Sequence, residues 1–267
     1  MEFDIRHNIA DIRRWLSEAE RKQLPFASAL AMTWTAKDIQ AEEIVTMKRV
    51  FDRPTPYTLN ALRVVPARKT TLVAKVEFRD FGAGTPAKRF LNPEVHGGLR
   101  SRKAHETQIK SKFNMKGRRF AMPGRDMPRN AFGNIAGGTF QKILSQLKAQ
   151  RDPAQNASGS AKSKGKRKKQ GFFIPRKGRL SHVVFERKGD AVKPALVFTK
   201  PPRYPKRFPF YEVAGQVLRE RLDANFERAF RQAMATSTVK SASTTMGIVG
   251  QYAKWTASAE RASLFGS

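Results

Sequence analysis

The sequence predicts an α+β fold: N-terminal helices and a long C-terminal amphipathic helix packed on a small, mostly antiparallel sheet. Three observations predict it. Val213, Val217, Leu218, Leu222, Phe226, Phe230 and Met234 fall on one helical face, with Arg219, Glu220, Asp223, Glu227 and Arg231 on the other. Leu72, Ala74, Val76 and Phe78 alternate with Thr71, Val73, Lys75 and Glu77, the period of a half-buried strand. Val192 and Ala195 to Phe198 are rich in β-formers, and Pro201 and Pro202 stop them just before the loop that opens the long helix.

Each element follows from its own residues. Ile5, Ile9, Ile12 and Leu16, separated by Asp11 and Arg13, predict a first amphipathic helix ending near Leu24. Pro25 suits the first turn of a second helix, carried by Phe26, Leu30, Trp34, Ala41 and Val45 and widened by Met32, Ile39 and Met47. Asp38 and Glu42 share one of its faces; beside Lys37 and Lys48 they read as a solvated surface. Pro54 and Pro56 force an extended turn after it. Leu62, Val64 and Val65 then make a strand, joined through Pro66 to Lys69 to the alternating strand ending at Phe78. Gly82 and Gly84 stand at the spacing of a dinucleotide fingerprint, but Pro86 and Lys88-Arg89 interrupt where a helix should open, so a plain glycine loop is expected. Phe140, Ile143, Leu144 and Leu147 mark a helix within Asn134 to Gln150. The Ser, Gly, Ala, Lys and Arg composition of 150–170 predicts a flexible lysine-rich insertion. Phe172 to Ile174 and Val183 to Phe185 resume the β pattern and are expected to join Leu196 to Phe198. Residues 1–149 and 171–235 are thus expected as one α+β body, with 236–267 as an extended C-terminal arm.

Charge limits the partners. Fifty-two Lys and Arg stand against 22 Asp and Glu, a formal net charge of +30, which points to polyanions or acidic protein surfaces. Two blocks concentrate it. Arg100, Arg102, Lys103, Arg118 and Arg119 in the first, and Lys162, Lys164, Lys166, Arg167, Lys168 and Lys169 in the second, are candidate contacts to nucleic acid or an acidic partner. Between the last strand and the long helix, Arg203, Tyr204, Lys206, Arg207, Phe208, Phe210 and Tyr211 interleave cations with rings, a candidate subunit interface.

Catalytic signatures are sparse. With no Cys, disulfides and thiolate chemistry are excluded, in keeping with a reducing cytoplasm. His7, His96, His105 and His182 lie far apart in sequence without companion ligands at metal spacing. There is no nucleophile elbow, and Gly165-Lys166-Arg167 lacks the spacing of a phosphate loop. Glu186-Arg187-Lys188 is the one nuclease-like token, and the second carboxylate that a metal would need is missing nearby. No catalytic residue, metal, cofactor or small-molecule substrate is expected, and no targeting segment or membrane span.

The order of parts resembles a known family. Two N-terminal helices, a β-hairpin, a lysine-rich insertion and a strand leading through Arg203-Tyr204-Pro205-Lys206-Arg207-Phe208-Pro209-Phe210-Tyr211 into a terminal helix look like the tail completion, or minor tail protein Z-like, proteins of tailed bacteriophages. Phe51-Asp52-Arg53-Pro54-Thr55-Pro56-Tyr57-Thr58-Leu59, with Arg79-Asp80-Phe81 and Gly84-Thr85-Pro86-Ala87, resembles a group of phage neck proteins. The likeness covers most of residues 20–235 and carries no catalytic motif. It implies a virion structural role at the head-to-tail junction: a homo-oligomeric ring beside the DNA path, in contact with other neck, tail or connector proteins and assembled in the host cytoplasm. The alternative is a free basic nucleic-acid-binding protein, acting in DNA packaging or ribosome-like assembly.

Overall fold

The computed structural model describes residues 2–6, 18–79, 85–115, 117, 120–175 and 178–236. The fold is α+β, as the sequence predicts. Where the sequence suggests one body, the chain forms two compact units: 51–55 and 81–207 make unit 2, and the segments on either side make unit 1.

In unit 1, helices α1 (Glu18–Val50) and α7 (Phe210–Ala235) accompany a three-stranded antiparallel sheet of order β1-β3-β2, formed by β1 (Glu2–Arg6), β2 (Leu62–Val65) and β3 (Val73–Phe78). A one-turn helix, α2 (Pro56–Leu59), leads into β2. The predicted hairpin is present, with Val64 opposite Val76, and Ala74, Val76 and Phe78 are the buried face of β3. Alternation decided this strand because only one of its faces meets apolar side chains.

The N-terminus differs from expectation. Residues Glu2–Arg6 form β1, antiparallel to β3 with Phe3 opposite Val76, in place of the start of a helix. Ile9, Ile12 and Leu16 lie outside the described residues. The expected break at Pro25 is absent too, since α1 runs unbroken from Glu18 to Val50 with Pro25 inside it. Proline in a helix interior costs about 3 kcal/mol, because it removes a hydrogen bond and crowds the preceding turn. Packing on both sides of Pro25 offsets that cost. Leu24, Ala27 and Ala31 are buried against Phe226, Ala229, Phe230 and Ala233 of α7. The alanines let α7 come close, and the Phe226 and Phe230 rings stack with centroids 6.0 Å apart. Truncating either ring to Ala would cost about 3–5 kcal/mol. Asp38 proves to be a helix-to-helix tie: the Asn225 side-chain amide donates to it at 2.7 Å and to Thr35 Oγ1 at 3.1 Å.

Unit 2 is built on a four-stranded antiparallel sheet of order β5-β8-β7-β6, from β5 (Phe120–Pro123), β6 (Gln170–Phe173), β7 (Val183–Lys188) and β8 (Ala191–Thr199). The three strands expected around the insertion thus lie side by side. Helices α3 (Ala87–His96), α4 (Ala104–Lys112), α5 (Gly137–Gln146) and α6 (Ala161–Lys169) complete the unit, with a two-residue pair of strands, β4 (Gly98–Leu99) and β9 (Arg203–Tyr204). Ile109 of α4, Ile143 and Leu144 of α5, and Leu196 and Phe198 of β8 share its core. Gly124 is fixed by a close approach: it donates its N–H to Ala195 O at 2.8 Å, and a Cβ there would lie 1.9 Å from Pro194 O.

The segment 150–170, expected as a flexible loop, carries regular structure. Asp152 caps a short 3-10 turn, Pro153–Gln155, by accepting from Ala154 N at 2.9 Å. Ser160 Oγ then caps α6, accepting from Ser163 N at 3.3 Å. Lysine and alanine are good helix formers, and the cations Lys166 to Lys169 sit in the last turn, where the helix dipole favours them.

Candidate polyanion-binding groove

A groove with a volume of about 1260 Å³ opens on unit 2, between the start of α3, the length of α4 and the segment 148–159. Its walls carry six cations: Arg89, Arg102, Lys103, Lys112, Lys148 and Arg151. Among the described residues, no Asp, Glu, aromatic ring or histidine lines it. Thr107, Ser111, Gln150, Asn156 and Ser158 add neutral hydrogen-bonding groups.

The walls are held by internal bonds. At the N-terminus of α4, Glu106 is fully buried and accepts from Arg100 at 2.5 and 2.9 Å, from Lys103 N at 2.7 Å and from Ala121 N at 2.9 Å. Burial opposes its charge, but the Arg100 guanidinium and the two backbone N–H groups prevail and hold the carboxyl below its usual range. Glu106 is therefore paired with Arg100, and none of the groove cations forms an ion pair with it. Lys103 is exposed as a whole residue, but protein atoms around its ammonium, and then nearby Arg100, hold it below the usual lysine range against the opposing pull of Glu106. The neighbouring His105 ring stacks on Phe140 at 4.1 Å, and loss of solvent pushes its pKa down to about 4, so it is neutral at pH 7. Across the groove, Asn156 Oδ1 accepts from Gln150 N at 3.2 Å, Ala157 N donates to Ser145 O at 3.0 Å, and Ser145 Oγ donates to Gln155 O at 2.8 Å.

The residues singled out from sequence have separate fates. Arg102 and Lys103 line the groove and are exposed, whereas Arg100 is held by Glu106 with its guanidinium 4.7 Å over the Phe120 ring. Arg118 and Arg119 lie outside the described residues. On α6, Lys162, Lys164, Lys166, Lys168 and Lys169 are exposed. Arg167 reaches back to Ser158 O at 3.0 Å and Ser163 Oγ at 2.5 Å, tying α6 to the groove rim.

The candidate interface divides as well. Arg203 and Tyr204 form β9 against β4, Lys206 is exposed, and Arg207 bonds Glu94 at 2.8 Å and lies 5.8 Å over the Phe51 ring. Phe208 and Phe210 are fully buried, their rings 5.9 Å apart, with Phe210 also 5.5 Å from Phe78. These two rings are buried in the core of unit 1, while Tyr211 is exposed. Glu186 and Lys188, the nuclease-like token, face each other at 3.4 Å. Among the described residues, no three His, Asp or Glu side chains gather as metal ligands, and no helix is long and apolar enough to cross a membrane.

Sequence reading missed Arg89, Lys148 and Arg151, which lie outside the two basic blocks and join the groove only through the fold. The available signal was the scarcity of acid: segments 51–55 and 81–207 hold 32 of the 52 Lys and Arg but 7 of the 22 Asp and Glu, a net +25 of the total +30. Comparison of the chain with protein-family models, with curated proteins and with solved structures finds no match.

Proposed function

We propose that the chain is a non-enzymatic structural component of a tailed-bacteriophage virion, a ring-forming subunit of the neck or tail at the head-to-tail junction. The observation that carries this reading is the partition of charge. Unit 2 concentrates a net +25 while the rest of the chain holds 20 cations against 15 anions, close to balance. A body with that surplus on one unit suits a position between packaged DNA and acidic neighbours, where partner charge relieves self-repulsion. The resemblance of Phe51 to Leu59 and of the 203–211 loop to neck and tail completion proteins supports the same place. Partners are further copies of the chain, other neck, tail or connector proteins, and DNA. Purified particles should contain the protein in several copies, and the isolated chain should sediment as an oligomer when mixed with its neighbours. Its absence from purified virions would overturn the proposal.

The groove favours a second reading, a free basic nucleic-acid-binding protein. That reading requires tight, salt-sensitive DNA binding by a monomer that never enters particles, so the same fractionation separates the two.

A further inference from the structure

We infer that the unit 2 groove, extended by α6, binds the phosphodiester backbone of double-stranded DNA without reading its sequence. Four observations converge on it. Among the described residues, six cations and no carboxylate line the groove and none of the six is ion-paired, so their charge is available to an incoming polyanion. Of the described acids that adjoin the lining in sequence, Glu106 is paired with Arg100, and Asp152 accepts from the Ala154 N–H. Neutral donors stand between the cations, as phosphate and sugar contacts require. The described lining has no ring on which an unpaired base could stack, and this argues for a duplex over a single strand, whose binding sites place aromatic side chains along the track.

The Arg167 bond to Ser158 sets α6 at the rim, so its exposed lysines continue the surface beyond the groove. An acidic protein face would also meet cations. Such a face usually brings apolar anchors, and among the described residues the groove offers no large apolar side chain to receive them. The inference is independent of the virion reading, because its test needs only the purified full-length chain.

Fluorescence anisotropy with a labelled duplex of about 25 base pairs, long enough to cover several phosphate contacts, gives affinity as a function of salt. The triple variant Arg102→Gln, Lys148→Gln, Arg151→Gln changes exposed side chains only. It is expected to bind at least about tenfold more weakly near 0.1 M salt, with the slope of log K against log salt reduced by about 2 to 3. A control triple, Lys37→Gln, Lys48→Gln, Arg221→Gln, removes equal charge from exposed positions of unit 1 and should leave the slope unchanged. As a readout free of substitution, duplex should protect Lys103, Lys112 and Lys148 of the wild-type chain from acylation more than Lys37 and Lys48. Equal losses in the two triples would reduce the effect to net charge and overturn the inference. So would unprotected groove lysines, or tighter binding of single strands or of polyglutamate than of the duplex. Particle fractionation reports on the virion proposal separately.

Discussion

Glu43 has no exposed surface, and neither of its carboxyl oxygens has a hydrogen-bond partner among the described residues. Burial, with Glu212 and Glu42 nearby, pushes its pKa up to about 9, so the group is neutral at pH 7. A carboxyl raised in the folded state contributes its full stability below the unfolded value of 4.5 and loses it as pH rises through about 9. Glu43→Gln cannot ionise. Its melting temperature should therefore exceed that of the wild type by a margin that widens between about pH 5 and about pH 9. A margin independent of pH would mean that the carboxyl is solvated. Nothing in sequence marks Glu43 as buried, since its burial and the nearness of Glu212 arise only when α7 packs on α1.

Among the elements, legibility followed the number of apolar faces. The β2-β3 hairpin, α5, α7 and the β6 to β8 strands were readable because each buries one regular stripe. Helices α3 and α4 were not: Leu91 and Val95 in one and Ile109 in the other are too few to set a period. Strand β1 was hidden because the Ile5, Ile9, Ile12 spacing outweighed the short Phe3, Ile5 alternation. Composition concealed α6, since polar, lysine-rich stretches read as loops unless their caps are noticed. At Pro25, tertiary packing overrode local preference, which sets up a prediction. Pro25→Ala should restore a helical hydrogen bond to the Arg21 carbonyl and raise unfolding stability by about 1–3 kcal/mol in denaturant titration. A loss of stability would mean that the ring itself packs better than it disrupts.

Charge is the property of the whole molecule, and the sequence displays its amount more readily than its distribution. Cations were easy to count, but three of the six in the groove come from outside the two basic blocks. A chain at net +30 repels itself, and the repulsion reaches about 30 Å at 0.01 M salt but only about 10 Å at 0.1 M. The melting temperature should therefore rise between those two salt concentrations. A fall would show that surface ion pairs such as Arg207–Glu94 outweigh the repulsion.

The backbone passes between the units at 50/51, 55/56, 80/81 and 207/208, so unit 1 is assembled from separate stretches of chain while most of unit 2 is a single run. On the ribosome, α1 emerges well before its partner α7. A nascent chain released at residue 207 would carry a finished cationic unit beside an α1 whose Leu24, Ala27 and Ala31 stripe has nothing to cover it, a form primed to clump with its siblings.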